Sequence, residues 1–304
     1  MTGALGLVGT RLVPLLARQF PDSRIISVQR SGAKPSWSRD IPVEIVYGDL
    51  RDLSIWETLP TDIACVFHLA AVIPWSDAER QRARVVGDNL LPIANLIESS
   101  RRWPDLKQVV FSSSVSVYGP TEAMMTENSL KKPTDLYGAS KLAGEELLVC
   151  LESQGIRVAC LRYSSIYGFG QYQASVLPTM VKGAIDTAKI HVYGAGKRTQ
   201  DFVHCDDSAY ANVLACQKKA HGAFNIGSGA PTSMTELAET ISTVFINRTA
   251  EIVYQHDRSE GAPGISIDIS KAKQELEYRP IPLVLGLEKL KADLDASRWK
   301  HIGY

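Results

Sequence analysis

A chain of 304 residues, 45% hydrophobic and 22% charged, has the composition of an ordinary globular protein and the length to bury a large core. Its 33 Lys and Arg balance 33 Asp and Glu, so no broad basic field exists for nucleic acid or an anionic membrane. Cys65, Cys150, Cys160, Cys205 and Cys216 are odd in number and lack metal-ligand spacing; they read as buried thiols of a reducing compartment. With no long apolar run and no leader pattern, the expected location is the cytoplasm.

The chain opens in a glycine turn, Thr2-Gly3-Ala4-Leu5-Gly6-Leu7-Val8-Gly9, which runs into a helical stretch over 12–19. Glycines three apart at a strand-to-helix turn let backbone approach a pyrophosphate, and the helix N-terminus supplies N–H groups and partial positive charge. Alone, the spacing describes a ligand-free glycine turn equally well. Such a turn should follow a buried strand, and none precedes it here. The expectation is a sheet whose first strand is missing from this chain and a native product that starts several residues upstream.

Short β-branched runs at 25–28, 43–47, 64–67, 108–111 and 158–161 then alternate with helical patterns, the later ones over 86–102 and 137–154. That alternation predicts an α/β fold built on a doubly wound parallel sheet. Pro14 and Pro92 fall inside helical patterns, where each removes a hydrogen bond and bends its helix. After the first run comes Gln29-Arg30, where NAD sites carry an acid for the ribose 2′-hydroxyl. A guanidinium pairs instead with a 2′-phosphate, which favours NADP over NAD unless Arg30 is merely a solvated charge. Asp49 and Leu50 end the next run, where a strand would present them to adenine; a turn-forming Asp49 is the alternative.

The run Phe111-Ser112-Ser113-Ser114 ends a buried strand and sets hydroxyls at the carboxyl edge of the sheet, where such folds bind ligands. Tyr137 and Lys141 follow at i, i+4 on one helix face. An ammonium within about 4–6 Å of a phenol lowers its pKa by roughly 1–3 units, making Tyr137 a usable acid and base, with Ser114 on the same substrate oxygen. From residue 168 the pattern loosens into loops, strand-like pieces at 190–193 and 224–226, and a helix over 235–245. His191, His204, His221 and His256 have no paired spacing, so no metal is expected. His68 reads as packing, and Asp206-Asp207-Ser208 as a helix cap.

Taken together these segments resemble the extended short-chain dehydrogenase/reductases, the NAD-dependent epimerase/dehydratase family. The glycine turn is similar to the family's TGxxGxxG, His68-Leu69-Ala70-Ala71 to its fourth-strand motif, and Asn89 to the Asn of the following helix. Ser114 falls at the catalytic Ser/Thr position, and Tyr137 to Lys141 reads YxxxK. Leu161-Arg162-Tyr163, Tyr167-Gly168, Asp201-Phe202-Val203-His204, Asn225-Ile226-Gly227 and Asp268-Ile269-Ser270-Lys271-Ala272 follow in order.

The resemblance implies a Rossmann-type domain over 1–167 with returning segments near 201–227, and a smaller substrate lobe from 168–200 and 228–304. It implies catalysis by Ser114, Tyr137 and Lys141. NADP or NAD would lie on Gly3, Gly6, Leu7, Val8, Gly9, Arg30, Asp49, Leu50, Leu69, Ala70, Ala71, Asn89 and Ser112 together with Tyr137 and Lys141. Substrate would meet Ser113, Ser114, Ser165 and Gln200. The implied activity is epimerisation of a nucleotide-activated sugar through transient hydride transfer. The alternatives are an NADPH-dependent carbonyl reductase and a non-catalytic NADP-binding regulator. Val115 and Ser116 stand where the family's dehydratases carry Asp-Glu, which disfavours 4,6-dehydration. Ser165, Gln200 and Ile265 replace an Asn and two Arg that hold the nucleotide and its diphosphate in relatives; Lys197, Arg198 or Arg258 could compensate. The family also implies a homodimer formed through two helices, one of them bearing Tyr137.

Overall fold

The computed structural model describes residues 1–30, 41–73, 78–171, 175–246, 250–261 and 263–296; residues 297–304, assigned above to the smaller lobe, lie outside them. In chain order the elements are α1 (Gly9–Gln19), β1 (Ile25–Gln29), β2 (Val43–Tyr47), α2 (Leu53–Glu57), β3 (Cys65–His68), α3 (Ala78–Ser100), β4 (Gln108–Ser114), α4 (Leu136–Leu148), β5 (Arg157–Tyr163), β6 (Ser165–Tyr167) and α5 (Val176–Thr187). Then come β7 (Lys189–Tyr193), β8 (Thr199–Gln200), β9 (Phe202–His204), α6 (Cys205–Gln217), β10 (Gly222–Ile226), β11 (Thr232–Ser233), α7 (Met234–Phe245), β12 (Glu251–Gln255), α8 (Ser270–Glu275) and α9 (Leu283–Ala296).

The main sheet is parallel and runs β2-β1, a single rung at Thr2, then β3-β4-β5-β10. This is the Rossmann-type α/β architecture expected from the alternation of strand and helix. Thr2 bridges Val28 on one side and His68 on the other, which places it between β1 and β3. Neighbouring residues of β4 serve opposite faces, as period two requires. Val110 packs with Leu12, Leu16, Ala211 and Leu214 under α1 and α6. Val109 and Phe111 pack with Trp56, Ile93, Leu96 and Trp103 under α2 and α3. Both faces of the sheet are therefore covered, which is why its strands read as near-continuous apolar runs.

A third apolar cluster joins Leu177, Ile190, Leu237 and Leu287 among α5, β7, α7 and α9, with β7 and β12 paired in parallel. Helix α7 begins with a reciprocal capping box between Ser233 and Glu236. Pro14 and Pro92 lie within α1 and α3, as their patterns predicted. Two expectations are corrected. The cap of α6 is His204, whose side chain accepts from Asp206 N–H, while Asp206 and Asp207 sit in the first turn where carboxylates meet the helix dipole. Among the cysteines, Cys150 is exposed, because it falls in the 3₁₀ segment Val149–Gln154 that leaves the core surface at the end of α4.

Candidate active site

Two clusters form along the carboxyl edge of the sheet. The first surrounds a cavity of about 340 Å³ lined by Gly3, Gly6, Arg30, Asp49, Leu50, Arg51, Leu69, Ala70, Ala71 and Asp88, among others. Gly3 has φ +73°, and a side chain there would press on Ala70 N at 2.7 Å, so only glycine lets the turn lie against the loop after β3. A Cβ on Gly9 would strike the Gly3 carbonyl at 2.1 Å; this glycine packs the helix onto the turn. Gly6 would meet only the Gly3 carbonyl, at 3.3 Å. No side chain caps α1; the N–H groups of Thr10, Arg11 and Leu12 donate to the Gly6 and Val8 carbonyls, so what the helix start offers an anion is its positive dipole end. A glycine cradle opening onto a cavity at an uncapped helix start fits a dinucleotide pyrophosphate.

Charges rim this cavity. Asp88 is nearly buried and receives Arg84 at 3.0 Å, Arg51 at 3.1 Å and Arg30 at 3.8 Å. Arg51 also clamps Asp49, whose carboxyl is lowered to about 2, chiefly by that hydrogen bond. The adenine role read for Asp49 therefore competes with an ion pair already made. Leu50 lines the cavity while its carbonyl accepts from Trp56 and Asn95. Leu7, Val8, Gly9, Asn89 and Ser112 are not among the lining residues. Asn89 instead bonds Val72 N–H, Val72 C=O and Ser140 Oγ, tying the loop after β3 to α4 from behind.

The second cluster is the predicted chemical centre. Asp135 caps α4 by accepting from Gly138 N–H at 2.7 Å. A Cβ on Gly138 would lie 2.5 Å from the Ser116 carbonyl, so glycine allows α4 to approach the turn after β4. That approach brings Tyr137 into a hydrogen bond with Ser114, whose Oγ also accepts from Ser116 N–H and donates to Ser116 Oγ. Lys141 is buried, donates to the Ser112 carbonyl at 2.7 Å, and sits 5.7 Å from the centroid of the Tyr137 ring. Ser114, Tyr137 and Lys141 are thus brought together.

The expected depression of the phenol is corrected. Burial pushes Tyr137 up to about 12, with the Ser114 hydrogen bond opposing it. Burial also lowers Lys141 to about 7, with Glu145 opposing. Desolvation is the largest influence on both groups, and it disfavours the charged form of each. At neutral pH Tyr137 is therefore a neutral acid.

Ser113 was expected to face substrate, but it is buried and donates to Glu145 at 2.5 Å. Glu145 forms a two-point ion pair with Arg162, and Arg162 donates to Tyr118, which donates to Asn225. This buried network was missed. Its signal was present, since Glu145 continues the four-residue spacing of Tyr137 and Lys141. Arg51 and Asp88 were also missed, because the contact between them joins the loop after β2 to α3. In the smaller lobe Gln200 donates to Ser165 and accepts from Arg198 at 3.2 Å, so both predicted positions form one polar cluster. Arg258 donates to Tyr193 instead. His68 is buried, bonded to Thr2 at 3.1 Å and stacked on Phe111, as its packing role requires. His204, Cys205 and Asp206 place ligand-type atoms within 4.8 Å of one another, but Asp206 is engaged by Lys289 and Arg11, which compete with any cation.

The model of the NAD dependent epimerase/dehydratase family matches residues 1–227. The chain belongs to that family. Its members are enzymes. A protein of Methanocaldococcus jannaschii, provisionally named a UDP-glucose 4-epimerase, is 31% identical over 95% of this chain and 96% of its own. A dTDP-4-dehydro-6-deoxy-D-allose reductase of a Streptomyces species is 28% identical over 98% and 94%. Among solved structures, MoeE5 in complex with UDP-glucuronic acid and NAD superposes with a TM-score of 0.84 at 26% identity, covering 97% of this chain and 98% of MoeE5. The family is one of nucleotide-sugar enzymes, and this member carries the glycine cradle and the Ser114, Tyr137 and Lys141 constellation. Among the described residues no helix is long and apolar enough to cross a membrane.

Proposed function

We propose that this family member epimerises a nucleotide-activated sugar, with Ser114 and Tyr137 on the reacting hydroxyl. The observation that carries the reading is the hydrogen-bonded Ser114 and Tyr137 pair beside Lys141, at the same sheet edge as the glycine cradle. A bound nicotinamide would supply reversible hydride acceptance and return. Ser114 orients the substrate oxygen, and Tyr137 holds and moves the proton at its phenol oxygen. Lys141, fixed on the Ser112 carbonyl, supplies positive charge that favours the phenolate. Ser165, Gln200 and Arg198 form the polar cluster assigned to the nucleotide diphosphate, with Arg198 replacing the guanidinium expected at 200. The Rossmann-type part would span 1–167 with 201–227, and the remainder would form the sugar-side lobe.

For the cofactor we favour NADP. No carboxylate ends β1, the Asp49 carboxylate is occupied by Arg51, and Arg30 and Arg51 both rim the cavity. MoeE5 binds NAD in its complex, so a direct titration of both dinucleotides separates the cases. Exposed Val86 and Leu91 on α3 and Leu147 at the end of α4 support a homodimer through these helices.

The decisive experiment incubates the protein with UDP-glucose or UDP-galactose and either dinucleotide. Interconversion of the sugars without net change in nicotinamide absorbance is the expected result. Stoichiometric consumption of NADPH on a keto-sugar would select the reductase, a reading favoured by Arg30 and by the reductase relative. Dinucleotide binding without turnover of any sugar nucleotide would leave a regulator.

A further inference from the structure

Ser114 carries one hydroxyl proton, and three groups meet its oxygen. The hydroxyl donates to Ser116 Oγ at 3.1 Å, and the same oxygen accepts from Ser116 N–H at 3.1 Å, which caps the 3₁₀ turn Val115–Val117. The third partner is the Tyr137 hydroxyl. A serine hydroxyl has one donor and two lone pairs, so this oxygen is saturated. With its proton committed to Ser116, Ser114 can only accept from Tyr137. It therefore favours the neutral phenol, because a phenolate in the same place would face a lone pair.

The turn that carries Ser116 is seated by its backbone. Ser116 N–H makes the cap, and the Ser116 carbonyl lies where a Cβ on Gly138 would come within 2.5 Å of it. Ser114 is buried, whereas the Ser116 side chain is only partly so. Replacing that side chain therefore removes the acceptor of the Ser114 proton and leaves the turn in place. The charges around the phenol belong to α4 and its cap: Lys141 lies 5.7 Å from the ring centroid, and Asp135 opposes ionisation. His68, at the end of β3, and Glu145, on α4, are coupled to Lys141. A change of partner for the Ser114 proton acts on Tyr137 without altering any of these charges.

We propose that Ser116 is a positioning residue whose hydroxyl oxygen holds the Ser114 proton in the resting protein and thereby makes Tyr137 slower to give up its own. The role rests on the reading of Ser114 and Tyr137 as the proton-handling pair. When Ser116 lets go, the Ser114 O–H turns about its Cβ–Oγ bond toward the phenol oxygen or a substrate oxygen. Only a hydrogen bond changes partner in that turn, and no covalent bond breaks. A Ser114 that donates to the phenol oxygen stabilises its ionised form, so the partner of one serine proton decides how Tyr137 is poised.

The test uses the full chain with difluorotyrosine in place of Tyr137, because fluorination brings ionisation of the phenol into a range the fold withstands. Fluorine NMR then reads the titration midpoint with neither substrate nor dinucleotide present. Ser116→Ala should lower the midpoint by about one pH unit, a roughly tenfold gain in phenolate at a given pH, and move Tm by less than about 2 °C. Ser116→Thr keeps a hydroxyl and should restore the midpoint. An unchanged or raised midpoint in the alanine variant overturns the proposal. So does an equal shift in the threonine variant, which would trace the effect to packing. A fall in Tm of more than about 5 °C that threonine reverses would make Ser116 a structural brace and overturn it as well. A midpoint that moves while the pH profile of sugar turnover stays put would count against the proposed function and leave this role standing.

Discussion

Around α4, Ser113, Glu145, Arg162, Tyr118 and Asn225 hold one another through buried, charge-assisted bonds, and the Arg162–Glu145 pair is 3% and 7% exposed at its side chains. Around the glycine turn, Arg30, Arg51 and Arg84 converge on Asp88 with guanidinium side chains 57%, 47% and 57% exposed. Both clusters are ionic, yet water screens only the second. A screened pair contributes about 0–1 kcal/mol, whereas removing one partner of a buried pair costs about 3–5 kcal/mol. The chemical centre is therefore held rigidly by its surroundings. The rim of the cavity is cheap to alter.

The contrast can be broken at several points. Tyr137→Phe removes the oxygen proposed to carry the proton and leaves the ring; turnover should fall by about 10²–10⁴-fold while dinucleotide affinity, read by fluorescence titration, stays within about threefold. Undiminished turnover would remove Tyr137 from the chemistry. Glu145→Gln should lower Tm by about 10 °C, because Arg162 is left buried without its counter-charge. It should also slow turnover by loosening α4. Arg51→Ala, in the screened cluster, should move Tm by no more than about 2 °C. Equal losses from these two variants would erase the distinction.

His68 lies between the two regions, bonded to Thr2 and stacked on Phe111. Its imidazole is lowered to about 3, first by burial and then by the Lys141 and N-terminal cations. The unfolded ring binds its proton near pH 6.5, so between about 6.5 and 3 the unfolded state holds more protons and stability falls as pH falls. His68→Leu should flatten that acid limb by a few kcal/mol in urea titrations run from pH 7 to pH 4. A further effect belongs to the rim. Arg30→Ala should weaken NADP binding about tenfold and leave NAD binding nearly unchanged, a shift of about 1.4 kcal/mol readable by calorimetry.

Much of this arrangement was legible in the residue order. Short β-branched runs alternating with helical stretches mark a parallel sheet, and the spacing of Tyr137 and Lys141 marks one helix face. The close approaches at Gly3 and Gly138 are local needs that glycine alone meets. The fates of Ser113 and Asp49 were not legible. Each lies beside a residue of the expected site, but Glu145 and Arg51 already hold them. Nor could linear order show that Asp88 gathers three guanidinium groups, or that burial would raise a phenol that spacing alone would lower.

The difference has one physical origin. Periodicity, turn chemistry and helix-face spacing are short-range properties, decided by backbone geometry within a few residues, and a chain carries them before it folds. Desolvation and partner choice depend on how much water leaves and on what arrives from distant segments. The acidity of Tyr137 and the partner of Arg162 therefore exist only once the sheet has closed around them.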